Sequence, residues 1–492
     1  MFNFNNSINT MTHEEIILKE IEEFNSSNKR NLMLVGEKYY DAENDIANRK
    51  ITRSTADGAI EDKSKSNNKL IHSFMTDLVD EKVGYLLSRP FSFDSEDTLY
   101  IDKVKDVLSK EFQYEMAGMG VETANKGIGY WYIYIDEEGK FKYMKVPSEQ
   151  CIPIWTDNSH RQLQAMIRYY TQIVYEGKEK KEIMKVEYHT TETSEYFTMY
   201  ERKLIYDVEA EPTAGPVGHY LKGGEHKSWG KVPFVVFKNN RREIPDIKYV
   251  KSLIDDYDLR RSDISNVLEE CKNFIYVIKN YGGEDLGSFI KDLNYYRAIQ
   301  VDEDGGVDTL TPTIDNQASK EHFEQLKRDI KEFGRSVNLD LDKMGSAPSG
   351  IALKFLYSKL DLKCNNLELE FLRAWDLLQY FVDVYLSETS QGNYLDVDVE
   401  IVFNRDIAIN ETESVTNAKD SKGIISDRTI IVNHPWVTDL EAELKQIEDE
   451  KNETLDFDMI PGGDDDELLG KKARQGNERD IQSSGEENNK PS

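Results

Sequence analysis

The chain has 492 residues, which is more than one hydrophobic core usually organises, so several domains are expected. Its 92 acidic residues outnumber its 62 basic residues, and the formal net charge of −30 argues against attraction to nucleic acid or an anionic membrane through bulk electrostatics. The three cysteines are far apart and lack metal-ligand spacing, and neither a leader nor a long apolar stretch is present, which together predict a soluble chain in a reducing compartment.

The N-terminal part of the chain has the spacing of amphipathic helices. Residues 1–50 favour helix up to a polar break at 25–28. A clearer apolar stripe runs through 71–87, and Pro90 ends it. This region therefore predicts helices that each bury one face.

From Gly129 the apolar period changes from that of a helix to that of a strand. Residues 130–135 and 141–146 flank a turn at 136–139 and predict a β-hairpin. Further strands, expected to form an antiparallel meander, are predicted at 165–175, 183–189, 196–200 and 204–208. Residues 211–230 are rich in proline and glycine and predict a loop before a last strand at 232–237.

The central part alternates helices with a short insert. A helix begins near Ile247, and its acidic and basic residues, including Asp255, Asp256, Asp258 and Asp263, are expected on an exposed face. An insert follows, and another helix begins near Gln317. The strand candidates of the insert are 274–278, 297–301 and 307–310.

Glycine and proline interrupt the helical pattern between this helix and a longer one. Gly345, Pro348 and Gly350 predict a loop at 338–350. The apolar stripe of the preceding helix includes Phe333, and a longer stripe from Ile351 predicts a helix well beyond ordinary length.

The C-terminal part is polar and acidic. A half-buried strand is predicted at 396–403, a helix at 412–422, and an acidic helix from Asp439. From about Asn452 large apolar residues become scarce, which predicts a disordered tail.

Catalytic and metal-binding patterns are incomplete. His13-Glu14 is followed by Ile17 where a zinc protease needs histidine, and the segment 224–231 lacks the spacing and the hydroxyl residue of a phosphate loop. His72 is expected to be a packing or surface histidine rather than a metal ligand, and acidic pairs are expected on a solvated face. No enzyme activity, cofactor or metal is predicted.

Several segments, in their order along the chain, resemble one family. They surround the helix, insert, helix, loop, helix arrangement and are found at 68–93, 230–240, 349–354, 403–406 and 422–426. In these segments the chain resembles the portal, or head-to-tail connector, proteins of long-tailed bacteriophages of the type infecting Gram-positive bacteria.

The resemblance implies an α+β fold with the portal architecture. It consists of a wing with an antiparallel sheet and helices, a helical stem, a small α/β clip, a tunnel loop, a long helix and a helical crown. The implied bounds are 1–246 for the wing, 247–272 and 317–337 for the stem helices, 273–316 for the clip, 338–350 for the tunnel loop, 351–394 for the long wing-crossing helix, 395–455 for the crown and 456–492 for a disordered acidic tail.

The resemblance also implies a function and partners. Copies of the chain would form a ring, typically a dodecamer, at one capsid vertex of the virion after assembly in the host cytoplasm, and double-stranded DNA would pass through it during packaging and ejection. Terminase large subunit, a head-completion or adaptor protein, and the scaffolding and major capsid proteins would bind it, and no membrane would be involved.

The residues implied for these contacts lie in the loop and the insert. The DNA-facing residues of the tunnel loop would be Lys343, Met344, Gly345, Ser346 and Ser349. The docking residues of the clip would be Tyr281, Glu284, Asp285, Asp302 and Asp304.

The residues by themselves leave two other hypotheses about the function open. The acidic charge and amphipathic helices also suit an intracellular helical scaffold or adaptor that never meets DNA. An enzyme with a site in the sheet region rests on the aromatic density at 130–134, which a packed strand face explains more simply.

Overall fold

The structure is a computed structural model. It describes residues 11–56, 58–270, 275–279, 306–310, 316–337, 350–405, 411–432 and 440–458, with isolated positions within 285–295 and 434–437. The chain divides into two compact units, Met1–Ile409 and Asn410–Ser492.

The first unit combines helices with short antiparallel sheets. Its helices are α1 His13–Asn25, α2 Asn28–Tyr40, α3 Phe74–Leu87, α4 Thr98–Leu108, α5 Phe112–Lys126, α6 Ile247–Glu270, α7 Asn316–Gly334 and α8 Gly350–Glu388. Its strands are β1 Thr52–Thr55, β2 Gly58–Glu61, β3 Ser92–Asp94, β4 Ile128–Ile135, β5 Phe141–Val146, β6 Cys151–Trp155, β7 Leu163–Glu176, β8 Glu179–His189, β9 Ser194–Tyr200, β10 Lys203–Tyr206, β11 Tyr220–Lys222, β12 Glu225–Lys227, β13 Phe234–Lys238, β14 Ile275–Lys279, β15 Gly306–Leu310 and β16 Glu400–Val402.

The described part of the second unit is helical. Its helices are α9 Glu411–Asp420, α10 Asp427–Val432 and α11 Leu440–Asp458. Helix α11 continues to Asp458, so the prediction of disorder from about Asn452 is wrong up to that residue. The rest of the predicted tail lies outside the described residues.

The predicted hairpin and meander are both confirmed. Strands β4 and β5 pair with Tyr130 opposite Val146 and Ile135 opposite Phe141. The meander has the strand order β10-β9-β8-β7-β6. The last predicted strand, β13, pairs with β4 instead, and the predicted loop at 211–230 contains the short hairpin of β11 and β12.

Two hydrophobic cores lie on opposite faces of the β13-β4-β5 sheet. Because neighbouring residues of a strand point to opposite faces, Trp131 of β4 belongs to one core and Tyr130 to the other. The first core is helical and includes Phe371 of α8, whereas the second contains the inward face of the meander and Ile17 of α1. One core is thus built mainly from helices and the other mainly from antiparallel strands, as in an α+β fold.

The helices α2 and α5 cross at very close range. A Cβ atom at Gly36 would lie 1.9 Å from the carbonyl oxygen of Asn125. Since nonbonded carbon and oxygen atoms cannot approach so closely, glycine is required at this crossing. The contact fixes the N-terminal helices against the helical core.

Several helix bounds differ from the predictions. Helix α3 begins at Phe74 rather than near Ile71, and α7 ends at Gly334 rather than 337. The predicted end of α6 near 272 lies outside the described residues. Helix α8 already includes Gly350 and ends at Glu388 rather than 394. The strand predicted at 396–403 is confined to Glu400–Val402.

Part of the predicted crown belongs to the first unit. Strand β16 pairs with β3, with Ile401 opposite Phe93, and the first unit extends to Ile409. Residues 395–409 are therefore in the first unit. The observed bounds of α9 and α11 agree closely with the helices predicted at 412–422 and from Asp439 in the rest of the crown.

Within the described ranges, no helix is long and apolar enough to span a membrane. The same ranges contain no group of three or more histidine, cysteine, aspartate or glutamate side chains placed to hold a metal ion.

Candidate functional site at the base of the paired helices

Helices α6 and α7 form an antiparallel pair in the centre of the chain. The ring centroids of Tyr257 and Phe323 lie 5.5 Å apart, and the guanidinium of Arg261 lies 5.1 Å from the centroid of the Phe323 ring. At the other end of the pair, the Nζ atom of Lys363 contacts both Asp246, which precedes α6, and the carbonyl oxygen of Gly334, which ends α7. The start of α6 and the end of α7 therefore lie together.

One residue predicted on the exposed face of α6 is buried. Asp258 accepts hydrogen bonds from Nδ2 of Asn44 at 2.6 Å and from the backbone N–H of His72 at 3.1 Å. The Nδ1 atom of His72 also lies 2.7 Å from the carboxylate. The prediction failed for Asp258 because its partners come from distant parts of the chain, and His72 is a packing residue as expected.

A buried ionic network holds the base of the helix pair, which we call the base network: Lys82, Asn239, Asp246 and Lys363. The Asp246 carboxylate lies 3.1 Å from the Nζ atom of Lys82 and 2.9 Å from that of Lys363, and it accepts a hydrogen bond from Nδ2 of Asn239 at 2.8 Å. The amide oxygen of Asn239 accepts a further hydrogen bond from Lys82.

The charges of the base network depend on one another. Burial opposes ionisation of Asp246, but the ammonium groups of Lys363 and Lys82 outweigh it and hold the pKa of Asp246 well below its ordinary value. Burial lowers the pKa of Lys82, against the attraction of Asp246. Each charge is therefore tolerated in the interior only while its partner is present.

A carboxylate fixes the chain just before the predicted tunnel loop. Glu81 of α3 accepts a hydrogen bond from the backbone N–H of Val337 at 3.0 Å and another from the hydroxyl of Ser336. Val337 is itself buried. The chain leaving α7 is thus bound to α3 at the last described positions before residue 338.

A cavity lies between β13, the β6–β7 turn and α8, and we call it the basic pocket, although Glu370 and Asp376 also line it. Its volume is about 410 Å³, and Arg161, Lys231, Lys238 and Arg373 are among its lining residues. Lys238 lies 2.9 Å from Glu243, outside the lining. Lys231 and Arg161, by contrast, have no carboxylate within ion-pair distance in the part of the chain that the structure describes.

A cluster in the meander resembles the serine, histidine, carboxylate order of a hydrolase. The Nδ1 atom of His189 lies 2.7 Å from the Ser194 hydroxyl, and its Nε2 atom lies 3.3 Å from Glu187. His189 and Ser194 are fully buried in the sheet, so no substrate can reach the hydroxyl. The cluster satisfies polar groups in the interior and gives the enzyme reading no support.

The comparisons with known proteins agree with this architecture. The family model described as phage portal protein, SPP1 Gp6-like, matches residues 21–456. The chain belongs to this phage portal family. The portal protein of Bacillus phage SPP1 is 33% identical over 444 residues, covering 88% of this chain and 87% of that protein. The portal protein of Clostridium phage phiCD119 is 32% identical over 440 residues, covering 86% and 93% respectively.

A solved structure is also similar. It is titled "Neck of empty GTA particle computed with C6 symmetry" and has a TM-score of 0.43 and 12% identity, covering 73% of this chain and 89% of that one. The assignment to the portal family depends on the family model and the two relatives.

Family membership confirms the predicted resemblance and its function. Portal proteins are structural components of the virion, and their function is that of a portal for DNA packaging. The two relatives come from phages of Gram-positive hosts, as the resemblance implied. The α+β fold with antiparallel sheets is the one expected for this architecture.

The predicted site residues stay predictions. Lys343, Met344, Gly345, Ser346 and Ser349 of the tunnel loop lie outside the described residues. Among the clip residues, Asp285 is exposed and accepts a hydrogen bond from the backbone N–H of Gly287, whereas Tyr281, Glu284, Asp302 and Asp304 lie outside the described residues.

The described part of the predicted clip is a two-stranded antiparallel ribbon. Strands β14 and β15 pair with Ile275 opposite Leu310 and Lys279 opposite Gly306. They confirm two of the three strand candidates of the insert, and the third, at 297–301, lies outside the described residues. The base network and Glu81 were not identified from the sequence. Lys82 lies within the apolar stripe of α3 and could have indicated a buried ionic network, because a buried lysine needs a partner.

Proposed function

We propose that copies of this chain close into a ring, a dodecamer in the virion, and that double-stranded DNA passes through its central hole during packaging and ejection. The observation that carries the proposal is the antiparallel pair of α6 and α7 with the β14–β15 ribbon between them in sequence. Helix α6 has 24 residues and spans about 36 Å, which is long enough to line a channel. A closed ring needs two different flanks on each subunit.

We propose that residues 338–350 form the tunnel loop and that Lys343, Met344, Gly345, Ser346 and Ser349 contact the DNA. The support is that the chain entering this segment is fixed, because Glu81 binds Val337 and Lys363 of α8 binds the carbonyl oxygen of Gly334 at the end of α7. A loop held at a rigid base can contact moving DNA without disturbing the subunit. A lumen of net negative charge would repel phosphates within about 8 to 10 Å and so prevent tight binding.

We propose that the clip, 273–316, binds the terminase large subunit during packaging and the head-completion or adaptor protein afterwards. Tyr281, Glu284, Asp285, Asp302 and Asp304 would supply polar contacts. Scaffolding and major capsid proteins would contact the ring during assembly in the host cytoplasm. The protein would act without catalysis, cofactor or membrane contact.

Class-averaged electron microscopy of the purified protein tests the ring directly. The expected result is a closed ring with a central hole in top view. Monomers or dimers at all concentrations that support capsid assembly would contradict the proposal. In infected cells, particles made without the protein should have normal shells and lack packaged DNA.

A further inference from the structure

A basic segment lies along the second half of helix α6, and we call residues 49–69 the basic arm. It contains six lysines and arginines and three acidic residues, in a chain whose formal net charge is −30. Contacts at both ends hold it on the helix: Arg49 pairs with Asp263, and the backbone N–H of Asn68 donates to Oδ1 of Asn266 at 2.6 Å. Between these ends, every residue of the β1–β2 hairpin is exposed. The arm is thus fixed at its ends and open to solvent between them.

Three exposed cations of the basic arm form no ion pair in the part of the chain that the structure describes: Arg53, Lys63 and Lys65. The carboxylate of Asp62 accepts hydrogen bonds from the backbone N–H and the hydroxyl of Ser64, in its own turn. These bonds, and to a smaller extent the charges of Arg53 and Lys65, lower its pKa. Even with Glu61, which is exposed, the described arm presents an excess of positive charge.

Helix α1 carries the opposite charge. It contains five glutamates against one lysine, which makes it the most negative of the helices described in the first unit. Three of these glutamates lie near its C-terminal end, and we call them the acidic end: Glu20, Glu22 and Glu23. Glu22 and Glu23 are exposed, and Glu20 is half-buried. Burial and the charge of Glu23 raise the pKa of Glu20, against the attraction of Lys19 in the same helix.

The position of the acidic end is locally unfavourable. Aligned peptide dipoles leave partial negative charge at the C-terminal end of a helix, so carboxylates there are disfavoured. Helix α1 ends at Asn25, and its last turn contains Glu22 and Glu23 and no basic residue. Neither carboxylate forms an ion pair with a cation among the described residues. Cations supplied from outside the subunit would relieve this accumulation of negative charge.

We infer that the basic arm of one copy docks on the acidic end of α1 in the next copy. The inference rests on the proposed ring, in which each contact joins two different surfaces of the subunit. Helix α6, which carries the arm, packs into the first core through Ile254, whereas α1 packs into the second core through Ile17. The two charged surfaces therefore belong to elements on opposite faces of the β13-β4-β5 sheet, as the two flanks of a ring subunit require.

The contact would control the rate and the register of assembly more than its strength. Exposed ion pairs add little affinity, so this contact would not hold the ring together by itself. Complementary charge instead steers encounters and selects which surfaces meet. Such steering matters here because each copy has a net charge of −30, and copies repel one another in other orientations.

Two charge-reversal variants test the inference. The arm variant is Arg53→Glu/Lys63→Glu/Lys65→Glu, and the end variant is Glu20→Lys/Glu22→Lys/Glu23→Lys. Each should form rings at least about tenfold more slowly than the wild type at about 0.1 M salt, as followed by light scattering and native mass spectrometry. Combining both variants in one chain should restore the rate to within about threefold of the wild type, because the charges are again complementary. At about 1 M salt the four proteins should assemble at similar rates, since the screening length falls to about 3 Å.

The end variant separates a specific contact from general repulsion. It makes each copy less negative, so it would assemble faster than the wild type if general repulsion set the rate, whereas loss of the inferred contact makes it slower. The matched control for the arm variant is Lys178→Glu/Lys180→Glu/Lys203→Glu, which changes the net charge equally at exposed lysines of the meander. This control should assemble at least about tenfold faster than the arm variant.

Cysteine cross-linking tests whether the two surfaces meet. In a Cys271→Ser background, mild oxidation of Glu22→Cys/Lys63→Cys should join copies into a ladder of covalent oligomers on a non-reducing denaturing gel. A disulfide forms only where the two Cα atoms come within about 7 Å of each other. The control Glu22→Cys/Lys178→Cys should give no ladder. The native Cys151 and Cys364 are buried.

The possible failures can be told apart. If the wild type forms no rings, the proposed function fails, and this inference fails with it. If the wild type forms rings while the end variant assembles as fast or faster, or while the combined variant stays slow, the inference alone fails. If a reversed variant loses its cooperative melting transition, the cross-linking decides, and rings that give no ladder overturn the inference.

Discussion

Removing the negative charge of the base network should destabilise the protein strongly. Asp246→Asn keeps the shape of the side chain and one acceptor oxygen, but it leaves the ammonium groups of Lys82 and Lys363 without a buried counter-charge. Breaking a buried ion pair by removing one partner costs about 3 to 5 kcal/mol. Since the network joins α3, α6, α7 and α8, we expect the whole first unit to lose this stability.

The matched control is an exposed ion pair on the same helices. Glu332 of α7 lies 2.8 Å from Lys359 of α8, and more than half of each side chain is exposed. Glu332→Gln should therefore lower the free energy of unfolding far less than Asp246→Asn does. Urea denaturation of both variants gives the comparison. The reasoning about the base network is refuted if Asp246→Asn loses no more stability than Glu332→Gln.

The pH dependence supplies a second check on Asp246. The pKa of Asp246 is lower in the folded protein than in the unfolded chain, so its ionisation stabilises the fold above about pH 4, the ordinary value. This stabilisation is lost as the pH falls below that value towards the folded-state pKa. The difference in stability between the wild type and Asp246→Asn should be constant from pH 5 to 7 and shrink in stronger acid.

Three further predictions concern packing, pH and function. Gly36→Ala should lower the free energy of unfolding by about 3 kcal/mol or more, because its methyl group would lie 1.9 Å from the carbonyl oxygen of Asn125. Gly84→Ala is the control, since its methyl group has open space, and it should stabilise α3 by about 0.5 to 1 kcal/mol. Thermal melts of both variants give the comparison. Burial raises the pKa of Asp383 to about 7, so the folded protein favours the neutral carboxyl and loses stability as the pH rises from about 4 to 7. Between pH 5 and 8, the free energy of unfolding of Asp383→Asn should rise by about 2 to 3 kcal/mol relative to that of the wild type, as measured by urea denaturation. A difference between the two proteins that does not change with pH would contradict this assignment. Deleting 342–348 should leave folding and ring assembly intact and impair DNA packaging, measured as DNA per particle; loss of soluble protein would show that the segment is part of the core.

Elements with a strong local period could be predicted from the sequence. The β4–β5 hairpin was predicted at 130–135 and 141–146 and is observed with two further residues at the start of β4. The length of α8 followed from an apolar stripe that continues from Phe355 to Val382. In both cases the signal lies within one element, so no distant partner was needed to find it.

Features that depend on distant partners could not be predicted. Asp258 is buried because Asn44, from an earlier part of the chain, reaches it, and the spacing within α6 does not contain that contact. Phe333 lies on the apolar stripe of α7 but is 59% exposed in the single chain. Helices α4 and α5, and strand β6, were not assigned, since tertiary packing overrides local preference in short elements.

The tunnel loop, the clip and the base network likewise could not be identified from local sequence patterns. The tunnel loop and the clip were assigned by resemblance, because loop composition gives little information about what a loop binds. The base network joins α3, the start of α6 and α8, which are separated by long stretches of sequence. A lysine among apolar residues, as at Lys82, is the pattern that would have indicated a buried ionic group.

The distribution of charge separates the roles of the described surfaces. The buried carboxylates Asp246 and Glu243 are bound by lysines. The Lys29 and Lys238 ammonium groups overcome the cost of burial and hold the pKa of Glu243 at about 2. These groups fix the subunit internally. The surplus of negative charge therefore lies on other surfaces, where it resists both DNA binding and nonspecific association of copies.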